Sequence, residues 1–257
     1  MNTRDGLKDF LDSRVLAFNR PGFIADDPVS IPHRFSRLQD IEISGFLAAT
    51  LSWGQRVTII RNCHALLERM DHAPFDFMTG HTEKDLRRME DFVHRTFNGT
   101  DLLYFIDFLS RHYRAHQSLE ELFTSPFAHG GARAALTVFH NRFFDSPHAP
   151  ARTRKHVSTP VRGSACKRLN MFLRWMVRRD GAGVDLGCWK TISPSLLICP
   201  LDIHVERVAR RYGLLKRKQT DWEAAEELTA ALRRLDPEDP VKYDFALFGI
   251  GVMEKQV

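Results

Sequence analysis

The apolar residues of this chain return every three or four positions in eight separate windows, and most of those windows are closed by Gly, Pro or a short polar run. That period matches the 3.6-residue turn of a helix with one buried face. Residues 40–51 place Ile41, Phe46, Leu47 and Leu51 on one side; 55–70 do the same with Ile59, Ile60, Cys63, Leu66, Leu67 and Met70. Residues 101–116 follow with Leu102, Phe105, Ile106 and Leu109, and Gly99-Thr100-Asp101 supplies a start signal. The other windows are 131–144, 164–179, 202–212, 221–235 and 240–253. Alternating apolar and polar runs, which mark half-buried strands, are scarce. The sequence therefore predicts an all-α fold of eight to ten helices.

With 43% hydrophobic and 27% charged residues in 257, the chain has the balance of a globular protein and not of a disordered one. No window approaches eighteen uncharged apolar residues, the least a spanning helix needs. The opening MNTRDGLKDF carries acids where a secretory signal needs an apolar stretch, so the expected location is cytoplasmic. Cys63, Cys166, Cys188 and Cys199 are too far apart for a zinc or iron–sulfur motif and read as free thiols. His112 and His116 stand one helical turn apart, but no third ligand accompanies them, and no metal site is expected.

Charge is unevenly spread. Residues 151–220 hold 16 Lys and Arg against 4 Asp and Glu, whereas the rest of the chain holds 21 against 28. A basic segment in an otherwise acidic protein suits a polyanion-binding face, and it equally suits a solvated surface with no ligand. Two irregular stretches flank its centre. Residues 145–163 contain Pro147, Pro150 and Pro160, and residues 181–200 contain Gly181, Gly183, Gly187, Pro194 and Pro200.

Between them lies Arg162-Gly163-Ser164-Ala165-Cys166-Lys167-Arg168-Leu169-Asn170. Gly163 suits a tight turn leading into a helix, whose backbone N–H groups can hold a phosphate, and Ser164 adds a hydroxyl. The helix dipole and the neighbouring Arg162 and Arg168 disfavour positive charge on Lys167, which favours the neutral, nucleophilic amine. A lysine that merely touches phosphate or solvent satisfies the same residues. Downstream, Asp202 follows Pro200 and Leu201 where a helix N-cap belongs, and His204, Arg207 and Arg211 line one side of that helix. Asp202 is either a cap alone or a carboxylate held at a helix start and aimed at a developing cation.

These segments resemble the helix-hairpin-helix DNA glycosylases of the endonuclease III superfamily. Residues 163–170 resemble the family's G-x-G-x-K-x-x-N hairpin, whose lysine is catalytic, at Lys167. Leu201-Asp202-Ile203-His204-Val205-Glu206-Arg207-Val208 resembles V-D-T-H-V-x-R-V, whose aspartate is catalytic, at Asp202. The stretch from Phe46 to Arg56 resembles the early L-L-S-x-Q-T segment, in which a loop residue fills the hole left by a flipped nucleotide; Gln55 is the counterpart. Residues 243–251 resemble a late helix ending in A-L-x-x-L-G. The chain as a whole looks most like a bacterial family defined by a domain of unknown function and related to these glycosylases. It departs from the pattern in three ways. Ala165 replaces the second hairpin glycine, 35 residues separate Lys167 from Asp202, and no cysteine cluster follows Gly251.

The resemblance implies two helical subdomains with a cleft between them. One spans 40–180; the other joins 1–39, including a helix over 3–18, to 181–257. It implies a monomer that flips a damaged base out of double-stranded DNA and cleaves it as a glycosylase and abasic-site lyase, with Lys167 and Asp202 across the cleft. Gln55, Arg56, Arg162, Gly163, Ser164, Ala165, Arg168, His204 and Arg207 would contact DNA. Trp53 and Trp189 are the base-pocket candidates, with Phe172 and Trp175 behind them; the competing reading of each ring, and the commoner one for large aromatics, is core. No iron–sulfur cluster is implied; a monovalent cation on hairpin carbonyls is. The alternatives are a non-catalytic DNA- or RNA-binding protein on the same scaffold and a helical interaction protein.

Overall fold

The computed structural model describes residues 4–253. Its α-helices are α1 (Arg4–Phe18), α2 (Leu38–Leu51), α3 (Arg56–Arg69), α4 (Pro74–Gly80), α5 (Glu83–Arg87), α6 (Gly99–Tyr113), α7 (Thr124–Phe143), α8 (Lys167–Val177), α9 (Ile203–Arg211), α10 (Trp222–Arg233) and α11 (Tyr243–Met253). Two-residue strands β1 (Val93–His94) and β2 (Phe97–Asn98) form a short antiparallel hairpin before α6. The fold is all-α, and each of the eight periodic windows carries a helix. The expected N-terminal helix is α1, with residue 3 outside the described residues. The short helices α4 and α5 and the hairpin were not anticipated, because five to seven residues hold too few turns to show a period.

The chain forms two compact units. Among the described residues, the first contains everything up to Ala25, Gly131–Arg133, and everything from Thr159 onward; the second is Asp26–Gly130 with Ala134–Ser158. Residues 159–180 thus belong with the C-terminal helices, whereas the sequence grouped them with 40–158.

The second unit packs phenylalanines from α2, α6 and α7. Phe46 stacks on Phe105 at 5.5 Å, and Phe108 meets Phe143 at 4.4 Å. Such pairs add about 0.5–1.5 kcal/mol each beyond area burial. Glu42 is fully buried there, but its carboxylate accepts from Tyr113 Oη (2.9 Å), Ser118 Oγ (2.5 Å) and the Leu119 N–H (3.1 Å). Three donors offset the desolvation of that charge.

The first unit is built around α8 and α11. Trp175, Trp189, Trp222, Phe172 and Tyr243 fill its core. Helix α11 packs on both α1 and α9, and glycine permits both approaches. A Cβ on Gly249 would lie 2.3 Å from the Phe18 ring, and one on Gly251 would lie 2.9 Å from His204 Cβ. Two buried arginines on α8 organise the polar interior. Arg174 pairs with Asp244 and, through Nε, with Asp185 at 3.1 Å. Arg178 reaches Asp185 (3.0 Å), Asp239 (2.8 Å) and Asp180 (2.6 Å).

Candidate active site

The hairpin that precedes α8 is set by backbone conformation. Pro160–Arg162 forms one 3-10 turn, and Gly163 follows at φ 74°, a left-handed conformation that glycine adopts without strain. Cys166 is also left-handed, at φ 49°. This second reversal delays the helix, which starts at Lys167 and not at Ser164 as the periodicity suggested. Ser164 Oγ is used locally, accepting from the Cys166 N–H at 3.1 Å. Asn170, the last residue of the motif, is buried and donates from Nδ2 to the Ala165 carbonyl at 3.0 Å, tying the hairpin to the first turn of α8. The Trp222 N–H donates to the Gly163 carbonyl at 3.3 Å and the Cys166 thiol to that of Ser164 at 3.4 Å. The carbonyls of Gly163, Ser164 and Ala165 therefore each accept from the chain itself.

Asp202 caps α9 as expected. Its Oδ1 accepts from the N–H groups of His204 (2.9 Å) and Val205 (3.0 Å). Its Oδ2 faces Lys167 Nζ at 3.9 Å. One oxygen is thus spent on the helix and the other on the amine. Both side chains retain a solvent-facing part, 29% exposed for the lysine and 20% for the aspartate. At 3.9 Å the two groups are in ion-pair range but beyond a hydrogen bond. Lys167 Nζ also lies 3.6 Å from Met171 Sδ, one turn along α8, a weak acceptor. Both residues lie in the first unit, so the structure brings the predicted pair together within one body, not from two subdomains.

The other predicted residues divide. Arg162 and Gly163 are exposed at the hairpin, and Ala165 is buried. Arg168 is half-buried, and desolvation lowers its guanidinium pKa to about 10. His204 and Arg207 turn towards α11. His204 Nδ1 lies 3.1 Å from the Gly251 carbonyl, the Arg207 guanidinium donates to the same oxygen at 2.6 Å, and the His204 ring meets Phe248 edge-on at 5.8 Å. They dock α9 on α11, with Arg207 still exposed and His204 half-buried.

The expectation for Trp189 is corrected. It is only 2% exposed, stands perpendicular to Phe172 at 5.5 Å, and its backbone N–H donates to Met176 O at 2.8 Å. The loop that carries it folds back onto α8, so its ring is core and cannot stack on an extrahelical base. Trp175 and Phe172 are fully buried too. Trp53, in the second unit, is half-exposed between His94 (4.8 Å) and His156 (5.6 Å). Gln55 is exposed at the N-cap of α3, Arg56 begins that helix, and Gly54 before them sits at φ 108° against the Arg95 side chain. His112 and His116 stack at 4.7 Å; the Ser118 carbonyl and Glu121 carboxylate engage them.

Residues 27–253 match the family model described as "Protein of unknown function (DUF2400)". The chain belongs to the DUF2400 family. The match includes the hairpin, Lys167 and Asp202, so the pair lies inside the family's defining segment. No curated protein and no solved structure matches this DUF2400 chain. Among the described residues, no helix is long and apolar enough to cross a membrane.

Sequence reasoning passed over two features of the site. Asn170 appeared only as a motif letter, although its amide anchors the hairpin. Arg174 and Asp244 were not singled out, because a buried ion pair between residues 70 apart leaves no local pattern. A signal was present in Lys167, Met171, Arg174 and Arg178, whose i, i+4, i+7 and i+11 spacing places them on one face of α8.

Proposed function

We propose that this DUF2400 protein binds DNA and excises a damaged base through a Schiff base on Lys167, with Asp202 stabilising the sugar cation. The observation that carries the reading is the approach of Lys167 Nζ to Asp202 Oδ2 at 3.9 Å, while Oδ1 is fixed by two backbone N–H groups. A carboxylate held in this way is preorganised to stabilise positive charge developing at C1′. The amine, once deprotonated, attacks C1′ as the C1′–N bond breaks, and the base leaves with the bonding pair and takes up a proton. Loss of the amine proton and opening of the sugar give the Schiff base. Removal of a C2′ proton then breaks the C3′–O bond, and the 3′ phosphate leaves. The exposed hairpin at Arg162 and Gly163, in the basic 151–220 segment, supplies a face for the phosphate backbone.

Borohydride trapping on duplexes carrying a panel of damaged bases and abasic sites tests this. Wild type should give a covalent adduct that Lys167→Ala abolishes. An adduct that persists in Lys167→Ala, or none on any substrate, refutes the assignment. A second reading has its own support: an ion pair between α8 and α9 is by itself a sufficient account of the approach of Lys167 to Asp202. DNA binding that weakens steeply with salt, without cleavage of any substrate, would favour it.

A further inference from the structure

We infer that Asp244, through its ion pair with Arg174, is a positioning residue that sets the charge balance beneath the Lys167–Asp202 pair and thereby tunes the amine. The inference rests on the reading above for why that tuning matters. Helix α8 presents Lys167, Met171, Arg174 and Arg178 along one face, so Arg174 lies two turns, about 10 Å, below the amine. Met171 stands between them in that row, its sulfur 3.6 Å from the Lys167 amine. Arg174 is 4% exposed and Asp244 6%, so their charges are poorly screened. Arg174 is held by two carboxylates, Asp244 and Asp185, and its guanidinium lies over the Phe245 ring at 4.3 Å.

The groups that face Asp244 come from several elements. Helix α8 contributes Arg174 and Lys167, and the loop after it contributes Asp185. The segment entering α9 contributes Asp202 and Cys199. Arg178 lies over the adjacent Phe245 at 5.4 Å. Lys242, two residues earlier, is taken by Asp12 of α1 (3.2 Å) and by Asp236 (2.6 Å). Burial pushes the Asp244 carboxyl up to about 7, Arg174 and Lys167 oppose that rise, and Asp202 reinforces it. Asp244 therefore carries its charge above about pH 7.

The sign of each perturbation follows. Asp244→Asn removes a negative charge, keeps the volume, and leaves Arg174 under-compensated, so the amine loses its proton more readily. Arg174→Gln does the opposite. Competitive trace acetylation of the whole protein from pH 6 to 11, read by mass spectrometry of the Lys167 peptide, measures this without DNA. The half-reactive pH of Lys167 should fall by about half a unit to one unit in Asp244→Asn and rise in Arg174→Gln. Lys84, in the second unit, serves as a control that stays fixed. Shifts in the same direction in both variants, or none in either, overturn the inference. Wild type carries an independent test should a variant fail to fold. Its Lys167 profile should bend near pH 7 as Asp244 ionises, and a profile with a single inflection overturns the inference. Because no DNA is used, a failure here is separate from a failure of the trapping experiment.

Discussion

Asp202 is given two jobs by its geometry, and two substitutions separate them. Asp202→Asn keeps an oxygen that can accept from the His204 and Val205 N–H groups, and asparagine ranks with aspartate as an N-cap. Asp202→Ala removes the cap, which costs about 1 kcal/mol. Both remove the ion pair with Lys167. At 3.9 Å the bare Coulomb attraction is about 4 kcal/mol for an effective dielectric of 20, but the groups are partly solvated and lack a hydrogen bond, so the net loss is about 1 kcal/mol or less. Urea denaturation should therefore rank the proteins wild type, then Asn about 1 kcal/mol lower, then Ala about 2 kcal/mol lower. For a chain of this length each step is a melting shift of about 2–4 °C. In the trapping assay both variants should lose about 100-fold or more, because the amide preserves the helix and not the charge. An Asn variant as unstable as the Ala variant would refute the capping argument. An Asn variant that traps at the wild-type rate would refute the role of the charge.

Further substitutions test the packing around the pair. Trp189→Ala should lower stability by about 3–5 kcal/mol, because the ring is core; a loss under about 1 kcal/mol in urea denaturation contradicts that placement. Gly251→Ala drives a methyl against His204, at 2.9 Å from its Cβ and 3.0 Å from its carbonyl oxygen, and should cost about 1–3 kcal/mol by displacing α9 from α11; neutral behaviour in a thermal melt shows that the contact yields freely. Asp244 has a folded pKa of about 7, above its ordinary 3.8, so folding favours its protonated form. Its contribution is complete below about pH 4 and disappears as pH rises through about 7. The stability of wild type relative to Asp244→Asn should accordingly decline across that window, and a gap that widens with pH contradicts the raised value.

The helices were legible because each buries one face, and burial imposes a period that survives in the sequence. Asp202 was legible as a cap for a similar reason: the residue types that accept from N2 and N3 are few, and one stood directly before an apolar stripe. The start of α8 was misplaced because Cys166 adopts φ 49°, a conformation its residue type does not announce. Trp189 was misplaced because its loop has no period, and burial without a period looks like exposure. The docking contacts of His204 and Arg207 were not anticipated because nothing local shows that the Gly251 carbonyl of α11 lies against them. For Trp189, His204 and Arg207 the missing information is a contact with a different part of the chain.

The face of α8 that carries Lys167 argues for a site and not for a lone surface ion pair. Four residues share that face, and three are cationic. Arg178 is 2% exposed and saturated by three carboxylates, and Arg174 is 4% exposed and saturated by two. Desolvating two guanidinium groups is costly, and replacing such networks with apolar side chains often stabilises a protein, so stability alone is a weak account of them. Lys167 stands at the open end of the same row with one carboxylate at 3.9 Å and a thioether below it. The row thus passes from closely hydrogen-bonded ion pairs in the interior to a looser pair at the surface, next to the exposed hairpin. An arrangement that neutralises its buried members and leaves the outermost amine partly exposed, beyond hydrogen-bond distance of its carboxylate, presents that amine to an incoming substrate, which a nucleophilic lysine requires.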